Sequence, residues 1–233
     1  MKWENPLYNT LSWSGEIDNR QEKEKAAKTV SKKVSNGDII GVGSGSTSLL
    51  ALEAIGRRVR EEAMEVKAIP TSKEAALNCA YFGVPTTTLT DERPSWGFDG
   101  ADEVDGERNL IKGRGGALLA EKLVMASSPL TYILVDSRKF VKKLGEKSSV
   151  PIEVDPRAIH LVETELIKSF HVESVQLRMA VSKDGPVITE SGNVIFDVKF
   201  QNLNHKMEYE VKAIPGVVET GLFLGYSVEI LTS

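Results

Sequence analysis

The stretch D-I-I-G-V-G-S-G-S-T-S-L-L-A-L-E-A-I, residues 38–55, decides the fold. It reads as a short apolar strand, a turn of glycines and hydroxyls, and then apolar residues at helical spacing from Ser46 onward. A strand, a glycine turn and a helix N-terminus in that order leave backbone N–H groups facing outward under the positive end of a helix dipole, a setting that favours a small anion. Ser44, Ser46 and Thr47 add hydroxyl donors around Gly45. The spacing is not the G-x-x-x-x-G-K-[ST] of a nucleotide loop, and the last glycine of a dinucleotide fingerprint is absent, so a monophosphate fits better than a nucleotide. A tight turn with no ligand is the competing reading of the same residues.

Upstream, Ala26, Ala27, Val30 and Val34 fall at helical spacing among Lys and Glu, and the pattern stops at Asn36-Gly37. Lys23 lies in the first turns of that helix. Residues 1–19, with Trp3 and Trp13, hold no sustained period and read as an extension that packs on the surface or on a partner subunit. Downstream, V-K-A-I-P-T-S reads as a strand before the helix K-E-A-A-L-N-C-A-Y-F, followed by strands at V-P-T-T-T-L and L-T-Y-I-L-V-D. Alternation of this kind predicts a parallel sheet covered on both faces, with ligands at the carboxyl ends of its strands. Thr71 and Ser72 belong to that rim, where Ser72 is either a helix cap or a ligand contact. Lys139 follows the last of these strands and is either solvated or able to close over a phosphate.

From Val150 the pattern changes. P-I-E-V-D, a helix through Ala158 to Phe170, strands at S-V-Q-L-R-M-A-V-S and V-I-T-E-S-G-N-V-I-F-D-V, a short helix at Lys206 to Ile214 and a strand at Val217 to Phe223 give the order β-α-β-β-α-β. That order is the ferredoxin-like one. It predicts a smaller α+β domain over residues 146–223, beside a first domain of residues 1–145 that the terminal S-V-E-I-L-T, within 224–233, rejoins.

The densest chemistry lies between Phe98 and Lys122, F-D-G-A-D-E-V-D-G-E-R-N-L-I-K-G-R-G-G-A-L-L-A-E-K. Core packing gives no reason to set so many ionisable groups beside so many glycines, because buried charge is costly unless paired and glycine weakens regular elements. The stretch is therefore a candidate active site, against the blander reading of a solvated acidic loop before a helix. Its carboxylates before Arg108 are Asp99, Asp102, Glu103, Asp105 and Glu107, of which the last three read as caps, turns or solvated charge. Lys112 stands beside Gly113, Gly115 and Gly116, and Glu121 stands apart on a helix.

Composition narrows the partners. The 233 residues carry a net charge of −4 with Lys and Arg scattered, which argues against nucleic acid or an anionic membrane surface. No run of about 18 apolar residues suggests a membrane span. The single cysteine, Cys79, rules out an internal disulfide framework and reads as core packing in a cytoplasmic, reducing setting. His160, His171 and His205 stand far apart in sequence, so no transition-metal site is expected; no cofactor is expected either.

Taken together, G-V-G-S-G-S-T, I-P-T-S, D-G-A-D-E-V-D-G, I-K-G-R-G-G-A-L-L-A-E-K, V-D-S-R-K, V-P-I-E-V and I-P-G-V-V-E-T-G-L-F resemble, in order and spacing, the A-type ribose-5-phosphate isomerases. The resemblance runs from Lys23 to Phe223. It implies a Rossmann-like α/β domain with a smaller α+β domain, assembled as a homodimer or homotetramer. It also implies metal-independent interconversion of ribose 5-phosphate and ribulose 5-phosphate through an enediolate. By matching position, Glu121 is the general base; Asp99, Asp102 and Lys112 assist ring opening and polarise the oxygens; Lys23, Ser44, Gly45, Ser46, Thr47, Gly113, Gly115 and Lys139 hold substrate or phosphate. Arg114 stands where some members have glycine, and contact with substrate, pairing with an acid and exposure to solvent all remain open for it. A non-catalytic sugar-phosphate sensor of the same fold is the alternative, though the basic helix-turn-helix such a repressor would carry is missing before Lys23.

Overall fold

The computed structural model describes residues 17–232, in two compact units. The Trp3 and Trp13 extension therefore lies outside the described residues, apart from Ile17, Asp18 and Asn19.

The first unit comprises residues up to Gly100, Val124–Ser137 and the chain from Ser227. It opens with α1 (Arg20–Ser31), β1 (Ile39–Val42), α2 (Ser46–Glu61), β2 (Lys67–Pro70), α3 (Lys73–Phe82) and β3 (Trp96–Asp99). Later segments supply β6 (Thr131–Leu134) and β12 (Val228–Leu231). These strands form one sheet in the order β12-β6-β3-β1-β2, and every pairing is parallel. As expected, the terminal S-V-E-I-L-T returns to this sheet, alongside β6. From β1 the chain moves outward to β2 and then back past β1 to β3, so the order reverses between β1 and β3. In open α/β sheets that reversal is where loops part and leave a crevice at the strands' carboxyl ends. The core beneath it contains Val30, Ile40, Leu52, Ile55 and Phe98, each almost fully buried and each contributing about 1.5–3 kcal/mol of transfer energy. Cys79 is fully buried here, and burial pushes its thiol up to about 12, which suits packing and not nucleophilic work.

The second unit comprises Ala101–Leu123 and Arg138–Tyr226. The 101–123 and 138–145 segments thus group with the smaller unit, whereas the sequence reading draws the first domain through residue 145. Strands β7 (Val150–Val154), β8 (Val172–Leu177), β9 (Val194–Phe200) and β10 (Val217–Thr220), with α5 (Ile159–Ser169) and α6 (Met207–Lys212), follow the expected β-α-β-β-α-β order. Their antiparallel sheet runs β10-β7-β9-β8, the ferredoxin-like arrangement in which each helix returns the chain past one intervening strand. Val162 and Leu166 of α5 and Val211 of α6 bury against it. Three short strands, β4 (Glu103–Val104), β5 (Leu110–Ile111) and β11 (Leu222–Phe223), make a further small antiparallel sheet, and α4 (Leu118–Ser127) follows β5.

Two expected strands do not form. V-P-T-T-T-L makes a single bridge from Thr86 to Ala68, because Pro85 has no N–H to extend a ladder and the chain turns at once through the Thr88–Asp91 hydrogen bond. The strand leading into the acidic stretch is W-G-F-D instead. V-I-T-E also stays irregular: Pro186 limits its pairing to one bridge with Met179, and the Thr189 hydroxyl turns inward to Glu153 at 2.7 Å.

Candidate active site

Gly43, Ser44 and Gly45 join β1 to α2 at the point where the strand order reverses. Gly45 has φ +89°, a region L side chains avoid, and nothing lies within 4 Å of where its Cβ would stand. The turn therefore opens onto free space at the head of a 16-residue helix. No carboxylate occupies the first turn of α2, and no side chain caps it, so its leading amides remain available to an anion. Gly43 meets a different constraint: a Cβ there would fall on the Asp99 carboxylate and 2.7 Å from the Asp99 Cα. The two loops at the reversal thus touch through Gly43 and Asp99. Asp99 is 4% exposed and accepts the Gly100 N–H at 2.7 Å.

Hydroxyls organise the rest of this turn. Ser44 donates to Ser72 at 2.8 Å and lies 2.9 Å from the Thr71 hydroxyl. Ser72 caps α3 by accepting the Ala75 N–H at 3.0 Å, which realises the cap reading of that residue. Lys23 Nζ, reaching from α1, donates to Ser46 Oγ at 3.0 Å. Lys23, Ser44, Gly45, Ser46 and Thr47 are thereby gathered around one helix head, all partly buried.

The second unit holds a charged cluster. Lys112 follows β5, and its N–H donates to the Gly221 carbonyl at 2.9 Å. Its Nζ lies 3.3 Å from Glu121 Oε2, and the two side chains are 3% and 6% exposed. Glu121 sits in the first turn of α4, where the helix dipole favours a carboxylate. A buried pair of this kind holds its geometry because removing either partner strands the other charge, at a cost of about 3–5 kcal/mol. Between them runs the glycine turn: Asp102 Oδ2 accepts the Arg114 N–H at 3.2 Å, and Gly116 N–H closes onto the Gly113 carbonyl at 3.1 Å. Arg114 enters through its backbone, while the residue as a whole is exposed.

Two features escape the sequence reading, the burial of Glu103 and the anchoring by Lys122, while Asp105 behaves as expected. Glu103 is fully buried, not solvated, and its carboxylate accepts the N–H groups of Gly145, Lys147 and Ser148. Asp105 does form a turn, accepting the Glu107 and Asn109 N–H groups at 2.9 Å each. Lys122, the residue after Glu121, is 6% exposed and donates to Glu208 (2.7 Å), Glu219 (3.0 Å) and the Thr220 and Leu222 carbonyls (both 2.7 Å). Four acceptors for three N–H groups mark it as an anchor for the start of α4. Burial works to raise the Glu219 carboxyl, but the Lys122 charge, the Thr220 N–H and Lys212 outweigh it and hold it below the ordinary glutamate value. Both ammonium groups lie over the Phe223 ring, Lys122 Nζ 4.6 Å and Lys112 Nζ 5.6 Å from its centroid. Nothing in the local sequence distinguishes Lys122 from the solvated lysines that usually share a helix with Glu.

Lys139 is partly buried in a short helical turn, Ser137–Lys139, and makes no hydrogen bond or ion pair with the other candidate residues. Lys147 Nζ holds that turn through the Arg138 and Phe140 carbonyls, at 2.7 and 3.1 Å. Among the described residues, no group of three or more His, Cys, Asp or Glu is placed to hold a metal ion, and no helix is long and apolar enough to cross a membrane.

A glycine turn at the open head of a helix, placed at the reversal of a parallel sheet, and a buried lysine–carboxylate pair on the first turn of another helix are features suited to an α/β enzyme acting on a small anionic substrate. Comparison with known proteins narrows the class. The profile described as "Ribose 5-phosphate isomerase A (phosphoriboisomerase A)" matches residues 67–233. A ribose-5-phosphate isomerase A from Synechococcus sp. is 42% identical over 90% of this chain and 91% of its own length. The solved structure of ribose 5-phosphate isomerase A from Methanocaldococcus jannaschii superposes with a TM-score of 0.89 at 39% identity, covering 93% of this chain and 98% of that one. A D-ribose-5-phosphate isomerase solved in complex with phospho-erythronic acid gives 0.88 at 38% identity, covering 92% and 95%. The chain belongs to the ribose 5-phosphate isomerase A family.

Proposed function

We propose that this chain interconverts ribose 5-phosphate and ribulose 5-phosphate, with Glu121 as the base that moves a proton between C1 and C2. The observation that carries this reading is the buried Lys112–Glu121 pair at 3.3 Å on the first turn of α4. In the open-chain aldose, the Glu121 carboxylate takes the proton from C2. The C1=O electrons shift onto O1, and an enediolate forms. Lys112 and the N–H groups of Gly113 and Gly115 meet that charge; one such donor is worth on the order of 3 kcal/mol. Glu121 then returns its proton to C1 while the O2 proton passes to O1, leaving the ketose. Asp99 and Asp102 serve ring opening, and the first-turn amides of α2 with Ser44, Ser46, Thr47 and Lys23 hold the phosphate. Lys139 is assigned to substrate binding by its position in the V-D-S-R-K motif. Remote phosphate binding supplies energy that orients the reacting carbons.

The buried, unreactive Cys79 supports a cytoplasmic enzyme. Exposed Leu161 and Ile167 on α5, 49% and 58% accessible, support assembly with further copies as a homodimer or homotetramer. The deciding experiment incubates chelator-treated protein with ribose 5-phosphate in deuterated water. Ketose should appear, with solvent deuterium at the carbon-bound position. Tight binding without product or exchange would favour a sensor.

A further inference from the structure

Arg178 lies just past the end of β8, in a region the reading above leaves without a task. Its Nε and one terminal nitrogen grip both oxygens of Asp197 on β9, in the paired geometry a planar guanidinium allows. Its other nitrogen, Nη1, donates to two successive backbone carbonyls, Gly113 and Arg114, at 2.9 Å each. Those carbonyls belong to the turn between Lys112 and Glu121.

No peptide bond among the described residues is cis. In a trans peptide the C=O and the following N–H point in opposite directions. Drawing the Gly113 carbonyl toward Arg178 therefore sends the Arg114 N–H away from it, and that N–H is the one Asp102 receives. The next peptide obeys the same rule. With the Arg114 carbonyl also fixed on Arg178, the Gly115 N–H points away from the guanidinium, and it makes no hydrogen bond among the described residues. A backbone donor with no internal acceptor, oriented in advance by a charged side chain, is the arrangement an oxyanion requires.

We propose that the Arg178–Asp197 pair is a positioning device for the isomerisation: it locks two successive peptides so that the Gly115 N–H stands ready as a donor to the enediolate. The inference rests on the isomerase reading and adds to it residues that touch no substrate. A lysine serves the same purpose only in part, because a single ammonium replaces the charge but cannot span a carboxylate and two carbonyls in one plane.

The test compares Arg178→Met, Arg178→Lys and Asp197→Asn with the unaltered protein in four measurements. These are kcat and KM for ribose 5-phosphate, the inhibition constants of phospho-erythronic acid and of inorganic phosphate, and the thermal midpoint. Phospho-erythronic acid carries anionic oxygens of the kind the enediolate develops, whereas inorganic phosphate reports the anion loop alone. Arg178→Met should lower kcat roughly 10- to 100-fold with KM nearly unchanged. It should weaken phospho-erythronic acid by a similar factor and leave inorganic phosphate within about twofold. Arg178→Lys and Asp197→Asn should show the same split at smaller size, and they carry the test if Arg178→Met does not fold. A folded variant with kcat within about twofold of the unaltered protein, or equal weakening of both inhibitors, overturns the positioning role. Absence of turnover in the unaltered protein would overturn the isomerase reading instead, and the inhibitor split, measured then as binding, would still decide the role of Arg178.

Discussion

Two glycine turns, each feeding a helix, differ in what stands at the helix head. The turn at Gly43–Gly45 leads into α2, whose first turn holds hydroxyls and no acid. The turn at Gly113–Gly116 leads into α4, whose first turn holds Glu121. The same dipole acts at both ends. At the first it is left without a protein charge, as the proposed phosphate site requires; at the second the protein supplies the charge itself and sets Lys112 beside it. Glycine-rich turns before helices are thus not one motif with one meaning. The first four helical residues decide whether a helix head is left open or carries its own carboxylate.

Anchoring differs in the same way. Helix α2 is fixed by apolar residues, Leu50, Leu52 and Ile55 among them. The start of α4 is fixed by Lys122 and its four acceptors. Apolar anchoring is indifferent to pH, and ionic anchoring is not.

The sharpest way to break the contrast is Glu121→Gln, which keeps the shape of the α4 head and removes its charge. Turnover should fall by roughly 10²–10⁴-fold while the affinity for ribose 5-phosphate stays within about tenfold, as read by steady-state kinetics and calorimetric titration. Near-normal kcat in that variant would remove the base from the scheme. Next in size is Lys122→Met, which leaves Glu208, Glu219 and two carbonyls facing one another. Denaturant unfolding should show a loss of about 3–5 kcal/mol. The same anchor predicts an acid limb. Because the folded Glu219 carboxyl is held below its ordinary value, its contribution is complete above about pH 4.3 and is lost as pH falls toward the lowered value. Thermal midpoints measured downward from pH 6 should therefore drop less steeply for Glu219→Gln than for the native protein.

Converting the first turn into a copy of the second is a milder intervention. Ser46→Asp puts a carboxylate at the head of α2, where it would pair with Lys23 and oppose a phosphate. KM for ribose 5-phosphate should rise about tenfold, equivalent to roughly 1.4 kcal/mol, with a smaller change in kcat. An unchanged KM would separate this turn from the substrate. Smallest is Ser72→Ala, which removes the cap of α3 and one partner of Ser44, and should cost about 1 kcal/mol in thermal or chemical unfolding.

The sequence makes the first of these turns plain and the second only half so. Residues 38–55 announce strand, turn and helix because period and glycine placement are local properties, and β1 and α2 fall where they predict. The β-α-β-β-α-β order of the smaller unit is likewise a matter of consecutive elements. Charge is harder to read, since it depends on partners distant in sequence. Glu103 looks like its neighbours Asp105 and Glu107 until three amides from residues 145–148 fold over it. Lys122 looks like any helical lysine until Glu219 and the Leu222 carbonyl arrive. Arg178 carries no local signal at all, because its meaning lies in carbonyls contributed by residues 113 and 114. The missed strands fail for the opposite reason: V-P-T-T-T-L has the composition of a strand, but Pro85 removes a donor and the Thr88 turn follows too soon.

The contact between Gly43 and Asp99 bears on how this chain can vary. A side chain cannot be gained at 43, because the Asp99 carboxylate stands in its place, and removing the carboxylate would still leave the backbone Cα of residue 99 only 2.7 Å away. The two positions are interlocked in sequence space, with no permitted single step away from the pair. A library randomised at both and selected for growth on pentose should return glycine at one and aspartate at the other almost without exception, however freely the neighbouring Ser44 and Gly100 drift.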